Sequence, residues 1–195
     1  MRRIAGADTS SKWLDRHGPI HAAIAPLGWP GLTHEPVAGV TVVPRIPYVS
    51  GYLGFREAPA LVAAWEQLAD KPDLLFVDGQ GISHPRRCGI AAQLGVLLDV
   101  PAIGVAKSLL CGALAHEPGP AAGDRAEVID RGEVVAMAVR LRPRAAPVFV
   151  SIGHRLSLAA AVDWVLRVAD NRRLPPPIRA AHDAANALRR SAEVA

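Results

Sequence analysis

Lys71-Pro-Asp-Leu-Leu-Phe-Val-Asp-Gly-Gln-Gly-Ile-Ser-His-Pro-Arg-Arg87 is the stretch from which the rest of the chain can be read. Leu74 to Val77 is a short apolar run, opened by Pro72 and Asp73 and closed by Gly79 and Gly81, which predicts a buried strand. Asp78 then stands at the strand end, with its carboxylate at the edge of a sheet. The two glycines permit a tight turn and close approach to a ligand. Arg86 and Arg87 follow at the mouth of the next helix. A carboxylate on a rigid strand end, beside a tight turn and two cations, suits a metal ion and a phosphate. The same residues equally fit an Asp-Gly turn beside a solvated Arg pair.

Outward from this stretch, a strand, helix and strand follow in order. The helix spans about Cys88 to Leu98 and is almost wholly apolar, hence buried on most sides. Val100 to Ala106 is a second buried strand, with Lys107 at its end, and the order predicts a parallel crossover. Upstream, Ile4 to Ala7 is a strand ending at Asp8. Ile20 to Ala25 and Val37 to Val43 have strand content, and the three are expected to pair antiparallel. Residues 45 to 57 read as a loop rich in Gly, Pro and aromatics, and Ala58 to Ala69 as a helix with Pro59 in its first turn. Downstream, 113 to 133 reads as loop. Val134 to Leu141 and Val148 to Ser151 are strands, Ser157 caps a helix to Val168, and Ala180 to Arg190 forms the last helix. One α/β domain with a mixed sheet, over residues 1–195, is the expected architecture.

Bulk properties narrow the class. With 195 residues and half of them apolar, a sizeable core is expected. No apolar run approaches the ~18 residues of a membrane span, and the first residues carry no signal-peptide hydrophobic region. Cys88 and Cys111 lack metal or redox spacing and read as buried small residues in a reducing cytoplasm. A net charge of +4 favours an anionic partner. The 19 arginines against 3 lysines equally fit codon bias, so composition supports nucleic-acid binding only weakly.

Three acids fall at comparable places: Asp8 and Asp78 on strand ends, and Glu57 at a helix entrance. Two or three carboxylates with waters and substrate phosphate complete the oxygen shell of magnesium or manganese. Singly, Asp8 fits a turn cap and Glu57 a charge favoured by a helix N-terminus. Convergence of all three is the stronger expectation.

The segments Ala5-Gly-Ala-Asp8, Pro47-Tyr-Val-Ser-Gly51, Phe55-Arg-Glu57, Val77-Asp-Gly-Gln-Gly-Ile-Ser-His-Pro-Arg-Arg87, Ile103-Gly-Val-Ala-Lys107, Gly153-His-Arg155 and Leu174-Pro-Pro-Pro-Ile-Arg179 together resemble endonuclease V, in family order, from residue 4 to about 183. The resemblance implies a ribonuclease H-like mixed sheet flanked by helices. It implies a magnesium-dependent nuclease, with manganese as a substitute, that cuts the second phosphodiester 3′ to a deaminated base, chiefly hypoxanthine, in DNA repair. Residue by residue, Asp8, Glu57 and Asp78 match the metal-holding acids, and Lys107 and His182 match assisting residues. Tyr48 matches the wedge that fills the gap left by an extruded base. Gly51, Leu53, Gly79 and Ile90 match the wall of the pocket receiving it, and His84 a histidine beside the site. Arg86, Arg87, Arg155 and Arg179 are candidate phosphate contacts.

Read without the family, Tyr48 is a loop aromatic, His84 a turn residue, Lys107 a solvated strand-end residue, His182 a surface helix histidine, and the arginines surface charge. Gln80 and Ser50 depart from the family's histidine and proline. The chain also begins almost at the first strand, where many relatives carry a helix, which implies a less covered sheet face. The expected partner is DNA containing deaminated bases, met by a cytoplasmic monomer. The alternatives are an inosine-specific endoribonuclease and a non-catalytic binder of deaminated bases.

Overall fold

Continuous burial along the first two strands sets the first layer of the molecule. In the computed structural model, which describes residues 1–12, 15–47, 49 and 51–194, β1 (Arg3–Ser10) pairs antiparallel with β2 (Ile20–Gly28), from Arg3 opposite Gly28 to Ser10 opposite His21. β2 also carries β3 (Thr33–His34) and β4 (Ala38–Val42), both antiparallel. β1 runs three residues beyond the expected end at Ala7. The reason is the ladder: Asp8, Thr9 and Ser10 face Ala23, Ala22 and His21, and backbone pairing outweighs their polar side chains. Asp8 is therefore a buried ladder residue and not the cap of a following turn.

α1 (Leu53–Glu66) starts a full turn before the expected Ala58. Glu57 accordingly sits within the helix, and Pro59 lies in its second turn, not its first. Arg56 accounts for the earlier start. Its guanidinium is buried and donates to the carbonyls of Arg16 and Gly18 and, at 3.1 Å, of Ile46, which ties the first turn to the preceding loops. A buried cation is tolerable only with such partners. No local pattern announces them.

The chain divides into two compact units, Met1–Phe76 with Pro177–Ala195, and Val77–Pro176. In the first, α1 packs on β1, β2 and β4. α4 (Pro176–Val194) lies over β1 at Gly6, where an added Cβ would stand 1.8 Å from the carbonyl oxygen of Pro177. Ile4, Ile24, Leu27, Leu61, Ile178 and Ala181 are fully or almost fully buried here. The strand β5 (Leu74–Asp78) crosses the division.

The N-terminus is anchored by Asp73, whose carboxylate accepts the backbone N–H groups of Arg2 (2.6 Å) and Arg3 (3.1 Å) while its own N–H donates to the Arg3 carbonyl. Those two N–H groups hold its carboxyl below the usual value of 3.8. A lowered carboxyl pKa stabilises the fold above the unfolded value, and that contribution disappears as pH falls through the folded one. Asp73→Ala is therefore expected to lower the melting temperature at pH 7, by an amount equivalent to ~1 kcal/mol. The gap to the unaltered protein should close below pH 3.8, which melting curves across pH 2–7 would check.

In the second unit, β6 (Ala102–Ala106), β10 (Val148–His154), β9 (Glu133–Val139), β8 (Arg125–Asp130) and β7 (Ala113–Leu114) lie in that order, each antiparallel to the next. α2 (Ile90–Leu98) packs on β6 and β10, and α3 (Leu158–Arg167) on β10 and β9. Ser157 caps α3 as expected, its hydroxyl accepting the Ala160 N–H.

β7 and β8 replace the expected loop at 113–133. Ala126 and Val128 face a small core with Val135, Ala136, Ala138 and Phe149. Two buried side chains among outward Arg125, Glu127 and Ile129 are a strand period too short to stand out from its polar flanks. Arg131 and Gly132, both at positive φ (55° and 79°), close the β8–β9 hairpin as a two-residue turn. The cysteines also differ from expectation: Cys88 is exposed and Cys111 half-buried, both free. Among the described residues, no helix is long and apolar enough to cross a membrane.

Candidate active site

Each unit holds one acid–base pair, and each acid is placed by a strand. On β1 the two-residue period puts Gly6, Asp8 and Ser10 on one face, the face that α4 covers at Gly6. Asp8 Oδ1 accepts the Thr9 N–H at 2.7 Å, and Oδ2 lies 2.8 Å from His182 Nδ1. Asp8 is 8% exposed, whereas the His182 side chain is 44% exposed, so the contact has one buried and one water-facing partner. His182 Nε2 lies 3.0 Å from Asn186 Nδ2, one helical turn along. Glu57 is half-buried in α1, and Gly51 and Leu53 precede and begin that helix, Leu53 being exposed. Tyr48 lies outside the described residues, as does Ser50.

In the second unit Asp78 ends β5, and its Oδ2 accepts Lys107 Nζ at 2.5 Å. Lys107 is held by its backbone: its carbonyl accepts Arg173, and the neighbouring Ser108 carbonyl accepts Gln80 Nε2 at 2.8 Å. Gln80 thus supports the lysine-bearing segment, while its buried Oε1 has no hydrogen-bond partner among the described residues. A histidine at this position can supply the same donor. Gln80→His is therefore expected to change turnover within about threefold, equivalent to ~0.7 kcal/mol, measured as single-turnover cleavage.

Glycine is required in the turn after Asp78. Gly79 has φ +148°, and an added Cβ would stand 2.5 Å from Ile90 Cγ2; at Gly81 it would stand 1.9 Å from the Ile152 carbonyl oxygen. Gly79 and Ile90 are thus in direct juxtaposition. The N–H groups of Gly89 and Ala91, at the start of α2, are taken by the carbonyls of Gly81 and Gln80.

His84 is buried and orders its own turn: its Nδ1 accepts the Arg86 N–H at 3.2 Å, and its carbonyl accepts the Arg87 N–H at 2.8 Å. Arg87 binds Asp130 (2.7 Å) and Glu133 (2.9 Å) on either side of the hairpin turn. It is therefore a brace between two loops, which removes it from the candidate phosphate contacts. Arg155 is likewise paired, with Asp99 at 2.7 Å. Asn186, Ser10 and Arg189 were not legible as site residues. The His182/Asn186 spacing of four on a helix was the available signal, but nothing local connects it to β1.

Asp8 and Asp78 offer carboxylate oxygens, so both units carry donors able to hold a metal ion, while the two ring nitrogens of His182 are engaged by Asp8 and Asn186. Hard oxygen donors of this kind fit magnesium or manganese.

The sequence profile of the Endonuclease V family matches residues 1–183. This chain belongs to the endonuclease V family. It is 50% identical over 191 residues to an endonuclease V of Rhodospirillum centenum, covering 98% of this chain and 80% of that protein. Among solved structures, an endonuclease V of Streptomyces avermitilis matches with a TM-score of 0.92 and 34% identity, over 98% of this chain and 82% of that one. An endonuclease V of Ciona intestinalis, in complex with a 24mer DNA containing an inosine followed by a ribo-adenosine, matches with a TM-score of 0.83 and 28% identity, over 98% and 87%. The fold is thus the ribonuclease H-like α/β class of the endonuclease V family, and the protein is an endonuclease, a hydrolase of phosphodiester bonds.

Proposed function

We propose that residues 1–195 work as one catalytic domain that recognises inosine in nucleic acid and hydrolyses the second phosphodiester on its 3′ side, leaving 3′-hydroxyl and 5′-phosphate ends, in the repair of deaminated DNA. The observation that carries this reading is the membership of the chain in the endonuclease V family together with its retention of the acids: Asp8 on β1 beside His182, and Asp78 on β5 beside Lys107. Asp8, Glu57 and Asp78 would hold a divalent cation, magnesium or manganese. When bound, such an ion stabilises charge on the phosphorus and orients and acidifies water.

The chain's own side chains supply the rest. Lys107, a cation on a rigid strand end, would face a nonbridging oxygen of the scissile phosphate. His182 would orient Asp8. Gly51, Leu53, Gly79 and Ile90 would wall the base pocket. The Gly79 turn, packed against Ile90, and the exposed Leu53 support that assignment. His84 would keep the turn between Asp78 and Arg87 in shape, and Tyr48 would hold the strand open. A cytoplasmic monomer is the working form in this reading, and sedimentation at assay concentration tests the monomer.

A second reading has a specific observation behind it: the ligand of the Ciona relative carries a ribonucleotide directly after the inosine. Inosine-containing RNA would then be the main substrate, with a 2′-hydroxyl near the scissile bond as the sensor. Both readings meet one experiment, in which matched DNA and RNA strands bearing a single inosine are incubated with magnesium or manganese. A nick one nucleotide beyond the inosine is expected. Its absence in folded protein with either metal would refute the assignment, and the ratio of the two rates ranks the substrates.

A further inference from the structure

We propose that Asn186 is a positioning residue which, through a one-way chain of hydrogen bonds from Arg189, fixes the ring proton of His182 on Nδ1 and so aims it at Asp8. The proposal deepens the reading above, since it rests on Asp8 being an acid of the site.

The chain runs along one face of α4 and the end of β1. Arg189 Nε lies 3.0 Å from Ser10 Oγ, Ser10 Oγ 2.8 Å from Asn186 Oδ1, Asn186 Nδ2 3.0 Å from His182 Nε2, and His182 Nδ1 2.8 Å from Asp8 Oδ2. Its direction is set at one end by chemistry alone. A guanidinium has donors and no acceptor, so Ser10 must accept from Arg189. The Asn186 carbonyl oxygen faces Ser10, whose hydroxyl donates to it. The amide's NH₂ accordingly faces His182, which makes Nε2 its acceptor. A neutral imidazole with an acceptor at Nε2 carries its hydrogen at Nδ1, where the Asp8 carboxylate receives it.

Both ends of the chain are therefore polar in the same sense, from an obligate donor to an obligate acceptor. Arg189 is itself held by Glu193, at 2.9 Å one turn further along α4. Three residues of α4 at spacings of four and three (182, 186 and 189) lie along one side of the helix. On β1, residues 8 and 10 share the face beneath them. The helix and the strand meet closely because position 6 is glycine.

The functional consequence is that His182 acts as an oriented donor. Its Nε2 is taken by Asn186 and its Nδ1–H by Asp8, so the Asp8 carboxylate is held in one orientation. Outer partners of this kind typically change metal affinity or activity by ~10–100-fold when removed. Leucine at 186 should keep α4 intact, because its helix propensity exceeds that of asparagine.

The test uses the full-length, metal-free protein labelled with ¹⁵N at histidine, with the His182 resonances assigned by comparison with His182→Gln. The expected spectrum shows Nδ1 protonated and Nε2 unprotonated. In Asn186→Asp the donor becomes an acceptor, and Nε2 should gain a hydrogen. Asn186→Leu should lower kcat on an inosine strand by ~10-fold with KM within ~2-fold, and Ser10→Ala, one link further out, should lower kcat by less. Protonation at Nε2 in the unaltered protein, an unprotonated Nε2 in Asn186→Asp, or unchanged kcat in Asn186→Leu would each overturn the proposal. These outcomes separate from the proposed function. Failure of the unaltered protein to nick inosine strands would sink the function and leave the tautomer intact, whereas normal nicking with the proton on Nε2 would do the reverse.

Discussion

Asp78→Ala is expected to abolish inosine-directed cleavage, with a fall of at least ~10³ in rate, equivalent to ~4 kcal/mol of transition-state stabilisation, while binding of the inosine strand changes by less than ~3-fold. The asymmetry follows from what the carboxylate does in the proposed reaction. It would hold a cation that meets charge developing on the phosphate, an interaction stronger in the transition state than in the bound substrate. The residues proposed to wall the base pocket are untouched by the change.

The same substitution should cost little stability. Asp78 is partnered by Lys107 at 2.5 Å, and the lysine side chain is 39% exposed, so once released it can be solvated. An ion pair with one partner this open to water contributes ~1 kcal/mol or less. A melting temperature within a few degrees of the unaltered protein, beside lost cleavage and retained binding, would separate chemistry from folding. Equal cleavage by Asp78→Ala would refute the metal role of this acid.

Gly6→Ala is expected to be the most disruptive single methyl group that can be added to β1. Its Cβ would stand 1.8 Å from the carbonyl oxygen and 2.4 Å from the carbonyl carbon of Pro177, and 3.1 Å from Ala181 Cβ. These first two neighbours are backbone atoms, so no rotamer change relieves the clash. α4 would have to retreat by roughly 1.5 Å to reach ordinary contact distance. Overpacking of this kind costs ~3 kcal/mol, which for a chain of this size lowers the melting temperature by ~6–12 °C.

The shift also withdraws His182 from Asp8, and a displacement of ~1 Å at a reacting group is worth ~10² in rate. Calorimetry and single-turnover cleavage on the same preparation would check both effects. An unchanged melting temperature would mean that α4 is not seated on β1 at this glycine.

How much of this was legible beforehand depends on the range of the interaction responsible. The strand ending at Asp78, the apolar helix after it, the strand ending at Lys107 and the Ser157 cap all follow from runs, breakers and caps within a few residues, and they stand close to where those signals put them. The helix expected to be buried on most sides nevertheless leaves Val96 and Leu97 exposed. The segment resemblance likewise identified the family and nominated Asp8, Asp78, Lys107 and His182.

Partners far along the chain decided the rest. β1 extends to Ser10 because β2 supplies a ladder there. α1 begins at Leu53 because Arg56 finds carbonyls 38 and 40 residues away, at Gly18 and Arg16. Arg87, nominated as a phosphate contact, is a brace because a hairpin 43 residues on presents Asp130.

Sequence by itself nominated the residues proposed to carry the chemistry, since carboxylates, lysine and glycine have intrinsic properties that their neighbours preserve. Only the tertiary structure decided how those groups are held. Ser10 and Asn186 are 176 positions apart, and hydrogen bonds are directional contacts of about 3 Å, so the partner of a polar side chain is settled where the strand and the helix come together.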